Sequence, residues 1–226
     1  MKNYKFFPLG ENALTIEFGN EISEKLNRQV ISLDRYLSKI PFQGLLETVP
    51  AYASLTVYFD ILAVRKDHPN FPTAFEAVKN IVSDALKSLK ANRKELSKTI
   101  EIPVIFDDES SPDLKFVAEI NKLSTEKVIE IFLSQTYRVY MLGFLPGFAY
   151  LGELDEKIAA PRKETPRQRV PAGSVGIAGR QTGIYPFDSP GGWQLIGRTE
   201  TKLFEPENEI PTLFQTGDSV RFYRAK

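Results

Sequence analysis

The chain has 226 residues, 42% hydrophobic and 26% charged, which is room for two globular units without metals or staples. Lys+Arg and Asp+Glu both number 29, so the net charge is near zero, unlike a general nucleic-acid binder, and no nucleic-acid partner is expected. The absence of cysteine excludes disulfides, thiolate catalysis and cysteine-based zinc sites, and only one histidine, His68, is present.

The start, Met1 to Pro8 with Glu11 close behind, lacks the apolar stretch of a signal peptide. No run of about 20 apolar residues follows anywhere, so no membrane span is expected and the default address is the cytoplasm. The segment Ala13 to Phe18 alternates as a strand does. Ser23 is placed to cap a helix over 24–39, with Leu26, Val30, Leu33 and Leu37 on one face. Leu55 to Phe59 is a β-rich run, and Phe75, Val78, Ile81, Val82, Ala85, Leu86 and Leu89 predict a helix over 73–90. This order predicts an α+β N-terminal domain of the ferredoxin-like kind over residues 1–95. The charged segment Lys87 to Lys98, without β-branched residues, marks the domain boundary.

A second domain, 96–226, opens with a strand from Thr99 to Phe106. Pro112 precedes a helix over 113–122, and Ser124 opens another, with Lys127 where a capping box would carry Glu or Gln. From Tyr137 onward lie 11 of the 14 glycines and 8 of the 15 prolines, separating short apolar runs. Such a texture predicts a mainly-β barrel or sandwich. Residues 103–136 carry a net charge of −4 and residues 161–202 a net of +4. These are either solvated surfaces or, for the second, a basic rim around an anionic ligand.

Four stretches could carry chemistry. Gly143, Phe144, Pro146, Gly147, Phe148 and Tyr150 combine aromatic walls with residues that let backbone approach a ligand, or else form a buried turn. Pro161 to Pro171 holds Arg162, Lys163, Arg167 and Arg169 between three prolines, a stiffened basic loop suited to a carboxylate or phosphate, or simply an exposed loop. Arg167, flanked by Pro166 and the Val170-Pro171 turn, is the expected bidentate fork. Gly173 and Ser174 sit in a run like a nucleophile elbow, but Ala172 replaces its first glycine, and His68 lies in the other domain, so no triad is expected. No phosphate-binding or dinucleotide glycine pattern appears, so no cofactor is assigned to this chain. Tyr185, Pro190, Gly191, Gly192 and Trp193 form a tight turn around the one tryptophan, which either exposes an indole face or fills the core. Arg162, Arg167, Ser174, Tyr185 and Trp193 are expected to border one cleft.

Tyr137 to Phe144, Pro146 to Leu151, Pro161-Arg162, Thr165 to Arg167, Val170 to Val175, Ile184 to Pro186, Ser189 to Trp193 and Ile196 to Thr199 together resemble the family of B-type 5-oxoprolinase subunits, also called KipI-like or allophanate hydrolase subunit 1. Weaker echoes are Glu47 to Tyr52, and Ile102-Pro103-Val104 with Pro112-Asp113-Leu114. The resemblance implies a cyclophilin-like barrel in the second domain. It also implies a C-type partner subunit of similar fold and an A-type subunit, which together cleave 5-oxoproline to glutamate with ATP used by the complex. The same resemblance leaves two other roles open: inhibition of a sporulation histidine kinase, and a urea-carboxylase-like amide reaction. Two departures stand out. Phe132 occupies a position where the family often has histidine, and Ser111 replaces a glycine.

Overall fold

In a computed structural model the chain divides into two compact units, residues 1–95 and 96–226. The structure describes residues 4–89 and 97–225. The expected boundary within Lys87 to Lys98 falls largely on residues 90–96, outside the described residues.

The first unit runs β1 (Lys5–Pro8), β2 (Ala13–Glu17), α1 (Glu24–Lys39), β3 (Leu45–Pro50), β4 (Ser54–Phe59), α2 (Ile61–Asp67) and α3 (Ala74–Ser88). Its sheet has the order β1-β2-β4-β3 and is antiparallel throughout. Alternation along β2 and β4 sends Leu14, Ile16, Leu55, Val57 and Phe59 to one face. There they join Val30, Leu33 and Leu37 of α1 and Ala77, Val78, Val82 and Ala85 of α3 in one core. The two expected helices therefore pack as read. The strand order does not follow the ferredoxin-like βαββαβ pattern, in which a strand after the second helix lies beside the first. Here the strand beside β2 is β1, from the chain start. Ser23 stands at the N-cap of α1, where its carbonyl accepts the Asn27 N–H at 2.9 Å, but its hydroxyl makes no capping bond.

The second unit runs β5 (Thr99–Val104), α4 (Leu114–Ile120), α5 (Thr125–Leu133), β6 (Thr136–Leu142), β7 (Ala149–Gly152), β8 (Arg167–Val170), β9 (Ser174–Ala178), β10 (Gln181–Ile184), β11 (Ser189–Gly191), β12 (Gln194–Arg198) and β13 (Ser219–Arg224). Seven strands form one mixed sheet in the order β12-β9-β10-β7-β6-β13-β5, with β5 and β13 parallel. Just past β5, Ile105 bridges to Arg198 on β12, so the two edges meet and the sheet is a nearly closed barrel. The meeting of edges leaves few unpaired backbone groups. Val104, Val139, Leu151, Val175, Ile177, Ile184, Ile196 and Phe222 fill its interior with Val117 of α4 and Val128 and Phe132 of α5. The α5 cap is as read: the Ser124 hydroxyl accepts the Lys127 N–H at 3.2 Å. Phe132 is fully buried, stacked on Phe222 at 4.8 Å and beside Tyr137 at 5.3 Å. Any side chain at position 132 belongs to the barrel core.

Candidate functional site

Outside the main barrel core lies a second buried cluster: Phe148, Val170, Ala178, Tyr185, Trp193 and Leu195, with Leu145 and Tyr150 half-buried against it. Three elements build it. The β6–β7 turn supplies Phe144 and Phe148, and β7 itself Tyr150; the end of β10 leads into Tyr185; Trp193 immediately precedes β12. The small β8–β11 ladder pairs Val170 with Ser189 and Arg167 with Gly191.

Phe148 is the hub. Its ring lies 4.9 Å from Tyr150, 5.4 Å from Phe144, 5.4 Å from Tyr185 and 5.7 Å from Trp193, all edge-to-face. The edge of one ring thus meets the electron-rich face of the next, each pair adding about 0.5–1.5 kcal/mol beyond area burial. Tyr150 and Trp193 close the circle at 6.0 Å, and the Arg162 guanidinium lies over the indole at 6.0 Å, the outer limit of a cation–π contact.

Glycines make the close approaches possible. A Cβ at Gly191 would fall 2.5 Å from the Tyr185 hydroxyl oxygen. At Gly173, φ is +81°, and a Cβ would meet the Thr199 carbonyl oxygen at 2.0 Å. The turn over Gly143, Pro146 and Gly147 is closed by Phe148 N–H to the Leu145 carbonyl at 3.0 Å. Gly192 offers its carbonyl to the Lys163 N–H at 2.8 Å, and Pro190 lies in the middle of β11. Phe144 holds φ +73°, a left-handed conformation that side chains resist, and is 58% exposed. A strained, exposed aromatic at the lip of an aromatic cluster is where contact with a ligand or partner is sought first.

Burial holds both tyrosines above their usual range. For Tyr185 this outweighs the Trp193 backbone N–H donated to its hydroxyl and the Arg162 charge. For Tyr150 it outweighs Arg162. Both hydroxyls stay protonated at neutral pH. They can donate hydrogen bonds but are not general bases.

The structure thus brings Arg162, Phe144, Phe148, Tyr150, Tyr185 and Trp193 together. Ser174 is buried at the start of β9, and its carbonyl accepts the Tyr185 N–H at 2.9 Å. Arg167 does not present a free fork. Its Nη2 donates to Asp113 Oδ1 at 2.7 Å, and its Nη1 reaches the Trp193 carbonyl at 3.5 Å. Lys163 approaches the same carboxylate oxygen at 3.4 Å. Arg169 pairs with Asp188, whose acid is held below the usual carboxylate range by the Ala172 backbone N–H and then by Arg169. Arg162 therefore remains as the loop cation set over the aromatic cluster. The members with access to solvent are Arg162, Phe144 and Tyr150, while Phe148, Tyr185 and Trp193 form the packed floor. A recess of about 240 Å³ lies elsewhere on this unit, lined by Lys98 and residues of the 202–215 loop, and none of the candidate residues borders it.

The family model described as the carboxyltransferase domain, subdomain C and D, matches residues 4–214. The chain belongs to this family. It is 47% identical over 222 residues to the B-type 5-oxoprolinase subunit of Bacillus subtilis, covering 98% of this chain and 92% of that one. The crystal structure of TTHA0988 is similar with a TM-score of 0.81 and 38% identity over 95% of this chain. This chain spans 40% of that longer one. The Kluyveromyces lactis urea carboxylase structure shares the fold at a TM-score of 0.79 over 99% of this chain and 22% of that one, with 20% identity.

Within this carboxyltransferase-type unit, the residue that sequence reasoning missed is Asp113. It was visible only as part of the Pro112-Asp113-Leu114 echo. The opposite charges of 103–136 and 161–202 were the available signal, because Asp113 joins these two segments through Arg167 and Lys163. Among the described residues, no group of three or more His, Asp or Glu is arranged to hold a metal ion, and no helix is long and apolar enough to cross a membrane.

Proposed function

We propose that this chain is the B-type subunit of an ATP-dependent 5-oxoprolinase, acting with C-type and A-type subunits to open 5-oxoproline to glutamate. The observation that carries this reading is its identity to the Bacillus subtilis protein so named, across nearly the whole of both chains. The seven-stranded barrel is then the cyclophilin-like barrel of that family. In this reading the rim of the aromatic cluster receives the substrate. The Arg162 guanidinium meets the carboxylate, and Phe144 and Tyr150 flank the small lactam ring. The Tyr150 hydroxyl, held protonated, donates to oxygen and does not take protons. The chain thus supplies binding and orientation, and ATP is handled elsewhere in the complex.

The urea-carboxylase likeness, at 20% identity, supports the fold and not a second function. The test is co-purification of this chain with the C-type and A-type subunits, followed by ATP-dependent release of glutamate and ADP from 5-oxoproline. The expected result is turnover by the full set and none by this chain alone. Robust turnover by the isolated chain, or full turnover when it is left out, overturns the proposal.

A further inference from the structure

Asp113 is one of the buried charges of the second unit. Its side chain is 7% exposed, yet it faces two cations. One carboxylate oxygen accepts the Leu195 N–H at 2.7 Å, while the Asp113 N–H donates to the Leu195 carbonyl at 3.0 Å. This pair of hydrogen bonds to one residue of β12 leaves the other oxygen a single orientation, toward Arg167 at 2.7 Å and Lys163 at 3.4 Å. Leu195 is two residues from Trp193, so the carboxylate is anchored beside the indole. The main chain of the basic loop has its own ties: the Lys163 N–H to Gly192, and the Pro161 carbonyl to the Gln194 side-chain amide at 2.9 Å. What those ties leave undecided is which cation covers the indole.

We infer that Asp113 is a positioning residue that sorts the cations of the loop: it holds Arg167 and Lys163 against β12 and leaves Arg162 over Trp193 to meet the ligand. Without it, two unpaired cations sit within reach of the site, and Arg162 loses its defined place through like-charge repulsion. The part concerning ligand rests on the proposed function, whereas the part concerning Arg162 and Trp193 does not.

The chain carries one tryptophan, so its own fluorescence reports the site directly. The experiment compares emission and acrylamide quenching of the full chain with Arg162→Ala, Asp113→Ala, Asp113→Asn and the double variant Asp113→Ala/Arg162→Ala. In the wild-type background, removing Arg162 should shift emission and raise quenching. In the Asp113→Ala background the same removal should change neither, because Arg162 is already displaced, the non-additivity expected of coupled residues. Asp113→Asn keeps an oxygen for the Leu195 N–H and loses the charge. It should therefore fold and still lose most of the Arg162 effect, which keeps the inference testable if Asp113→Ala does not fold. An undiminished Arg162 effect in both Asp113 backgrounds overturns it. In the reconstituted complex, Asp113→Asn should raise the KM for 5-oxoproline by roughly tenfold with kcat nearly unchanged. Loss of the fluorescence coupling with an unchanged KM would retain the positioning role and overturn the substrate reading. The converse result, KM raised with coupling intact, would overturn the positioning role.

Discussion

Replacing Arg167 with alanine should cost stability before it costs chemistry. The substitution leaves the Asp113 carboxylate, 7% exposed, with Lys163 at 3.4 Å as its remaining cation. Breaking a fully buried pair costs about 3–5 kcal/mol, which sets the ceiling. Arg167 retains 23% of its side-chain exposure, and its close contact with Asp113 is a single charged hydrogen bond. That bond contributes about 1.5–3 kcal/mol, and some compensation from Lys163 brings the expected loss to roughly 2 kcal/mol. For a unit of this size about 4 °C of Tm accompanies each kcal/mol, so the melt should fall by roughly 8 °C. Arg167→Lys should recover part of this, because an ammonium keeps the charge but not the planar reach to both Asp113 and the Trp193 carbonyl. The assay is a thermal melt followed by circular dichroism at low and high salt. A buried pair is screened little, so the loss should persist at high salt. A Tm for Arg167→Ala within about 1 °C of wild type, the behaviour of an exposed pair, would refute the argument and return Arg167 to the ligand.

Gly173→Ala should destabilise the barrel by roughly 2–4 kcal/mol in urea unfolding, because φ +81° and a 2.0 Å clash with a carbonyl act together. Wild-type stability there would mean that the Thr199 backbone shifts freely, against this reasoning. Ser111→Ala should leave the Tm unchanged or raise it, since the buried Ser111 hydroxyl has no hydrogen-bond partner among the described residues to lose; a marked fall would contradict this. Burial raises the Asp34 pKa from its ordinary 3.8, against a hydrogen bond from Thr48 and the charge of Arg35. The folded chain therefore holds this proton more tightly than the unfolded chain. Its contribution is fully present at pH below 3.8 and is lost as pH rises through the folded value. Asp34→Asn should thus hold or raise neutral-pH stability and flatten that limb of a Tm–pH curve, and a steeper limb would count against the burial argument.

Helical periodicity was legible because it repeats: α1 spans Glu24–Lys39, the range that Leu26 to Leu37 marks out. Strand alternation identified β2 and β4, which lie at the centre of the first sheet. The edge strands β1 and β3 carry mixed faces and escaped notice, and the strand order depends on them. Short α2 has too few turns for a stripe to show. In the second unit the glycine and proline punctuation announced a barrel, but not its closure through Ile105 and Arg198, which are far apart in sequence. The aromatic cluster was legible as density of rings near glycines. The division of labour among the cations was not, because nothing local marks Asp113, 54 residues away, as the partner of Arg167 rather than a surface acid.

The most direct measurement is the kinetics of the reconstituted complex with Arg162→Ala in this chain. The account predicts ATP-dependent glutamate release that needs this chain, with KM for 5-oxoproline raised about 10- to 150-fold, the range of one charged hydrogen bond, and melting unchanged. An unaltered KM in a fully assembled, active complex would contradict it.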